Sequence, residues 1–151
     1  MKLLKTTCKL ILSFGIALSA ASALAATEIR VHYAIPTIWA ETQEKLADAF
    51  MAKNPDMKIK IDGPAESYAD GVQRLLREAV AGTAPDVAYV GLNRWRILED
   101  RGLTKPLDSF LPKDKLAAGY TPALLSLGSY KDVQHALGTS ASNMVLYVNP
   151  E

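Results

Sequence analysis

The chain has 151 residues, a formal net charge of +1, and 49% hydrophobic residues. This length indicates one domain with its own hydrophobic core. The near-neutral charge argues against a nucleic-acid binder, which would have a clustered basic excess.

The first 25 residues have the three-part pattern of a secretory signal peptide. Three lysines form a basic start, an apolar run follows, and residues 23–25 form a small-x-small site. The apolar run is shorter than the ~20 residues that a membrane span needs. We therefore expect cleavage after Ala25 and a periplasmic location for residues 26–151. The only cysteine, Cys8, lies in the leader, so the mature chain has no disulfide or thiolate chemistry.

The first part of the mature chain alternates between strand and helix patterns. Residues 29–33 and 57–61 alternate apolar with polar side chains, which predicts two strands. Between them, Thr37 is a candidate cap for a helix with apolar positions at helical spacing. Asn54 and Pro55 end that helix, because proline cannot continue it.

The same alternation continues once more. Ser67 is predicted to cap a second helix, with Asp70 three residues on as in a capping box. Residues 86–90 are mostly apolar, which predicts a strand covered on both faces. Asn93 is predicted to cap a third helix. Alternating strands and helices predict an α/β fold, a mostly parallel sheet with helices on both faces.

The later residues give weaker patterns. Residues 115–127 predict a fourth helix, although Gly119 and Pro122 weaken it, and residues 130–137 predict a short extended pair.

Common catalytic motifs are absent from the sequence. It has no G-x-G-x-x-G after the first strand, no P-loop and no G-x-S-x-G. His32 and His135 are far apart and have no zinc motif near them. Asp86 is either a general base or, more commonly at such a position, a loop residue that bonds backbone amides. We therefore expect no enzyme activity, no metal and no cofactor.

Polar and aromatic residues follow each predicted strand. Ligands of open α/β sheets bind beyond the carboxyl ends of the strands. The mixture of rings and polar groups there suits a polyhydroxylated ligand, since rings stack on the apolar face of a sugar. The candidate residues are His32, Tyr33 and Trp39 after the first strand, Glu66, Ser67 and Tyr68 after the second, and Asn93, Arg94 and Trp95 after the third.

Each candidate also has a purely structural interpretation. The two tryptophans are as well explained as packing groups near helix starts, and Tyr68 as a core residue. Ser67 and Asn93 are helix caps first, Arg94 is a possible surface ion-pair partner, and His32 is a possible strand residue with a satisfied hydrogen bond. Only the convergence of the three sets on one sheet edge favours a binding site.

Three local motifs together are similar to a known family. They are F-x-x-x-N-P at residues 50–55, A-G-T-A-P-D-V at residues 81–87 and G-L-T-x-P-L-D at residues 102–108. Residues 28–151 as a whole resemble the amino-terminal part of extracellular solute-binding proteins of the sugar-binding class (family 1), which serve ABC importers. The maltose and glycerol-3-phosphate binders belong to this class.

The resemblance implies a type II periplasmic binding protein, in which two α/β lobes close around a solute. Residues 26–139 would be part of the amino-terminal lobe. Residues 140–151 would be the hinge strand that crosses to a second lobe, so the chain is expected to be a fragment. Ser140, Ser142 and Asn143 match a stretch near the hinge that often contacts ligand in the family. Residues 136–139 lack the proline that relatives commonly have there.

The implied function is that of the periplasmic solute-binding component of an ABC importer. Its partners would be a small polar solute, most simply a saccharide, and an inner-membrane permease, with neither nucleic acid nor a membrane span involved. One lobe offers only one wall of a pocket, so we expect the isolated chain to bind weakly or not at all. Two alternatives remain: a small α/β enzyme that uses Asp86, Glu66 or His32, and a protein-interaction or sensor module with an apolar patch around residues 144–148.

Overall fold

The computed structural model describes residues 26–111 and 119–142. The predicted leader, the strand at residues 144–148 and Asn143 lie outside these residues. The strands are β1 (Thr27–His32), β2 (Met57–Ile61), β3 (Val87–Ala88), β4 (Ser129–Tyr130) and β5 (Val133–Gln134), and the helices are α1 (Pro36–Lys53), α2 (Tyr68–Val80), α3 (Trp95–Glu99) and α4 (Pro122–Ser126). The predicted alternation of strands and helices is therefore confirmed.

The first three strands form a parallel sheet in the order β2-β1-β3. Ile29 pairs with Ile59, and Val31 pairs with Ile61 on one side and Val87 on the other. Because β1 is central, the loops after β1 and β3 leave the sheet side by side at its carboxyl edge. A single residue bridge between Ala34 and Ala65 extends the pairing beyond the strands.

Helices cover opposite faces of this sheet, as successive strand residues point to opposite sides. Val31 faces α1, where it lies near Gln43 and Ala47. His32 faces α2, where it lies against Gly71. On the α2 side, the core is built by Val72, Leu75 and Leu98, with Leu76, Ala88, Val90 and Ile97 packed against them. The predicted fold class is thus confirmed for the described residues.

The α1 face is only partly covered. Leu46 and Phe50 of α1 remain 50% and 38% exposed, whereas the smaller Ala47 is buried. An open apolar trough of about 290 Å³ results; it is lined by Ile29, Val31, Gln43, Leu46, Ala47, Phe50, Ile59, Ile61, Val87 and Tyr89. The prediction that the third strand is covered on both faces is therefore wrong for Val87, which is 44% exposed, because α1 does not extend over it.

The helix starts differ in how they are capped. The Ser67 hydroxyl accepts a hydrogen bond from the Asp70 amide at 3.1 Å, as predicted for a capping box. The predicted Thr37 cap is wrong, because α1 begins at Pro36 behind Ile35, which is in the left-handed conformation at φ 59. Asn93 is not a cap either. Arg94 takes that position for α3, without a side-chain bond, because a turn from Gly91 to Arg94 delays the helix by one residue.

The last described segment packs beside α3. Thr121 caps the short helix α4, which falls within the predicted fourth helix. Strands β4 and β5 form an antiparallel pair, and this confirms the extended pair predicted there. Gln134 fixes the pair through side-chain bonds to Leu125 and Ser129. No helix in the described parts of the chain is long and apolar enough to cross a membrane.

Candidate functional site

The carboxyl edge of the sheet is fixed by backbone hydrogen bonds between the loops after β1 and β2. The Ile35 amide donates to the Ala65 carbonyl at 2.8 Å, and the Ala65 amide donates to the Tyr33 carbonyl at 3.1 Å. The Ile35 carbonyl then accepts from the amides of Ile38 and Trp39, which starts α1. Trp39 therefore lies in the first turn of a helix whose start is set by Ile35, a β-branched residue whose left-handed backbone is costly.

Three of the predicted site residues meet at this edge. The indole Nε1 of Trp39 donates to the hydroxyl of Tyr68 at 3.0 Å. A Cβ placed on Gly91 would lie 3.3 Å from the Tyr68 ring and 3.0 Å from Oδ1 of Asn93. The first turns of α1 and α2 and the loop after β3 thus converge. We call Trp39, Tyr68, Gly91 and Asn93 the aromatic rim.

The aromatic rim combines two half-buried rings with an exposed amide. The rings offer apolar faces, and the Asn93 side chain has both a donor and an acceptor for hydroxyl groups. Gly91 contributes by having no side chain, since a Cβ there would crowd both Tyr68 and Asn93. Sequence reasoning missed Gly91, although its place directly after the third strand is a usable signal.

Trp95 lies away from the aromatic rim. It is 4% exposed, its Nε1 donates to the Leu127 carbonyl at 2.8 Å, and its ring stacks on His135 with centroids 6.2 Å apart. Arg96 lies over both Trp95 and Tyr130. These contacts attach α3 to the segment that contains α4, β4 and β5, so packing accounts for this tryptophan.

The other predicted residues are more scattered. Tyr33 is buried, Glu66 is exposed at the start of the loop before α2, and Ser67 is engaged in its cap. Arg94 is half-buried in the turn before α3. Ser140 and Ser142 are exposed beyond the β4–β5 pair.

His32 is fully buried under α2, at 0% exposure, and is not part of the aromatic rim. Neither ring nitrogen has a hydrogen-bond partner within the described residues. The expected satisfied hydrogen bond is therefore not present there. Burial lowers the pKa of His32, and the positive charge of Arg74 lowers it further.

Asp86 has the structural role that its position suggested. Its carboxylate accepts from the Arg30 amide at 2.9 Å, at the amino end of β3. The Arg30 guanidinium binds buried Asp62 at 2.7 Å and the Thr83 carbonyl at 2.8 Å, and the bond to Asp62 raises the pKa of Arg30. Asp86 thus lies at the opposite end of β3 from the aromatic rim. No group of three or more His, Cys, Asp or Glu side chains suited to a metal ion occurs in the parts described.

Comparison with known proteins identifies relatives of this architecture. The family model described as bacterial extracellular solute-binding protein matches residues 37–151. No curated protein matches the chain.

Solved structures share its fold. An ABC substrate-binding protein from Listeria monocytogenes in complex with cycloalternan is 21% identical, with a TM-score of 0.61 over 72% of this chain and 27% of that one. CpMnBP1 with mannotriose bound is 25% identical, with a TM-score of 0.63 over 74% of this chain and 28% of that one. The galacto-N-biose/lacto-N-biose I-binding protein of Bifidobacterium longum, in complex with lacto-N-biose, is 18% identical, with a TM-score of 0.63 over 75% and 28%. The chain therefore spans a little over a quarter of the length of these structures.

Proposed function

Because this chain belongs to the bacterial extracellular solute-binding proteins, we propose that it serves as part of the solute-binding component of an ABC importer. The described residues form an α/β unit of the type II periplasmic binding protein fold. The proposed solute is a saccharide or a related polar molecule, and the proposed partner is an inner-membrane ABC permease. The family normally has no enzyme activity, and we propose none for this chain.

The aromatic rim is the observation that supports a saccharide most directly. Trp39 and Tyr68 are joined by a hydrogen bond at 3.0 Å, and the Asn93 amide lies beside the Tyr68 ring across Gly91. Apolar ring faces beside fixed polar groups fit the alternating surfaces of a sugar. The saccharide-bound state of three structures with this fold agrees with that choice.

A titration followed by NMR tests the solute class. The chain has two tryptophans, so its indole N–H region has two signals, from Trp39 and Trp95. We expect millimolar mannotriose or lacto-N-biose to shift the Trp39 signal and to leave the buried Trp95 signal in place. Glycine at the same concentration is the control for an unrelated polar solute. If the Trp39 signal does not shift with any saccharide, or shifts equally with glycine, the saccharide assignment is refuted.

The proposed domain organisation extends to residues outside the described ranges. We propose that residues 1–25 are an export leader cleaved after Ala25, that residues 26–139 belong to the amino-terminal lobe, and that residues 140–151 lead toward a second lobe. Ser140, Ser142 and Asn143 would then lie close to the solute. The intact mass of the protein in a periplasmic extract tests the leader: an amino terminus other than Ala26 would contradict the cleavage site.

A further inference from the structure

His32 lies fully buried at a contact between β1 and α2. With Val72, it is one of the two largest side chains that are fully buried. A Cβ on Gly71 would lie 3.0 Å from its Nε2 and 3.6 Å from the Cβ atoms of Ala34 and Ala65. Helix α2 therefore reaches the imidazole only because position 71 has no side chain. We call these four residues, His32, Ala34, Ala65 and Gly71, the β1–α2 contact.

The β1–α2 contact accommodates a neutral imidazole and no charge. Neither ring nitrogen finds a partner in the described structure. An imidazolium has two N–H donors and a full charge, and burying both without acceptors is strongly unfavourable. The contact is therefore stable only while His32 is unprotonated.

The charged side chains near the contact form two ion pairs, Arg74 with Glu78 and Arg30 with Asp62. On α2, Arg74 binds Glu78 at 2.7 Å, and Oε2 of Glu78 is buried without a partner among the described residues. After β2, Asp62 is bound by Arg30 of β1 at 2.7 Å. On strand β3, the residue that pairs with His32 is Ala88, whose side chain has no charge. The two carboxylates oppose the effects of burial and Arg74, but the pKa of His32 is still lowered.

We propose that His32 is a proton-sensitive element that holds α2 on the sheet at neutral pH and releases it at acidic pH. Helix α2 begins at Tyr68, less than one turn before Gly71. Release of the helix at Gly71 therefore moves Tyr68, whose hydroxyl accepts the hydrogen bond from Trp39. Proton uptake at His32 would open the aromatic rim without touching it.

The direction of the pH dependence follows from linkage. An exposed histidine has a pKa of about 6.5, and burial lowers the pKa of His32 below that value in the closed state. Below about pH 6.5 the open state consequently binds more protons than the closed state. The closed state loses stability as the pH falls from there to the lowered pKa, and its loss is complete below that pKa.

Fluorine NMR of the chain labelled with 5-fluorotryptophan tests this proposal without any solute. The two tryptophans give two signals, and Trp39→Phe assigns them. Between about pH 8 and about pH 5, we expect the Trp39 signal to shift or split and the Trp95 signal to change less. In His32→Phe, which keeps a buried ring but cannot bind a proton, the Trp39 response should disappear. An unchanged response in that variant, or no response in the wild type, would overturn the proposal.

A second measurement does not depend on His32→Phe. The chain has two histidines, so the ring signals of His32 and His135 can be followed separately by NMR. We expect the midpoint of the His32 titration to lie below about pH 6.5, the ordinary value for a histidine, and to coincide with the midpoint of the Trp39 response. An ordinary midpoint for His32, or a Trp39 response at a different pH, refutes the coupling even if His32→Phe does not fold. Since both readouts are free of solute, they can fail while the proposed saccharide binding stands.

Discussion

The hydrogen bond from the Trp39 indole to the Tyr68 hydroxyl joins the first turn of α1 to the first turn of α2 at 3.0 Å. These helices cover opposite faces of the sheet and meet at its carboxyl edge. Strand β1 positions α1, and strand β2 positions α2. The bond therefore depends on how β1 and β2 lie relative to each other. The aromatic rim is therefore sensitive to changes in either helix.

The first prediction removes the acceptor of that bond. Tyr68→Phe keeps the ring but leaves the Trp39 N–H to water. We expect a loss of about 1 kcal/mol in the free energy of unfolding, as for one part-buried hydrogen bond, and a weaker saccharide response at Trp39. Urea unfolding and the indole titration measure the two effects. Tyr89→Phe is the matched control, because the Tyr89 side chain makes no hydrogen bond within the described residues. Equal losses in both variants would contradict the role of the bond.

The second prediction concerns Gly71. In an ordinary helix interior, Gly→Ala stabilises by up to about 1 kcal/mol. At Gly71 the new methyl group would lie 3.0 Å from Nε2 of His32, which is fully buried. We expect Gly71→Ala to destabilise the chain instead, by about 1 kcal/mol or more. Thermal unfolding measures this, with Gly63→Ala as control because nothing lies within 4 Å of a Cβ there.

A gain in stability for Gly71→Ala would show that His32 has free space beside it. Such a result would also weaken the proposed proton-sensitive contact, because a mobile ring could reach water when it is protonated.

The third prediction tests the ion pair between Arg30 of β1 and Asp62, the residue after β2. Arg30→Met leaves the buried carboxylate of Asp62 without its partner at 2.7 Å and also removes the bond to the Thr83 carbonyl. A buried charge without a partner is strongly destabilising. We expect a clear drop in melting temperature that exceeds the drop for Lys45→Met, which breaks the exposed pair with Glu41. Similar melting temperatures for the two variants would contradict this interpretation.

The fourth prediction concerns Gly128, between α4 and β4. A Cβ at this position would overlap the carbonyl oxygen of Ala136. The Gly128 carbonyl also accepts hydrogen bonds from the amides of His135 and Ala136 at 3.0 and 3.1 Å. We expect Gly128→Ala to detach β5 from β4 and to expose Trp95, which is read as a red-shifted tryptophan emission at neutral pH. An emission spectrum identical to that of the wild type would show that the backbone adapts without opening.

The fifth prediction concerns the apolar trough under α1. Its apolar surface is contiguous and open, which favours self-association. Leu46→Lys places a charge at its edge on a residue that is already 50% exposed. We expect less association in sedimentation experiments and little change in unfolding. Val80→Lys, at a 93% exposed position outside the trough, is the control and should leave association unchanged.

Sequence reasoning identified the elements because each has a local cause. Alternation predicted β1 and β2, and the hydroxyl of Ser67 predicted the start of α2. It failed at the starts of α1 and α3. The left-handed Ile35 is held there by a bond to Ala65, thirty residues away in the fold's second loop, and no local pattern encodes such a bond.

The sequence by itself determined the α/β alternation, the family motifs and the set of polar and aromatic residues at the strand ends, because these depend on short-range periodicity and on residue type. Only the tertiary structure decided which members of that set meet. Trp39, Tyr68 and Asn93 converge because β1 is central and the loops around it leave the same edge. His32 is the last residue of β1 and lies buried under α2, and the indole of Trp95 donates to the Leu127 carbonyl. The direction of each side chain depends on which face of the sheet it lies on and on which distant residue it contacts. Neither can be read from the residues next to it in the sequence.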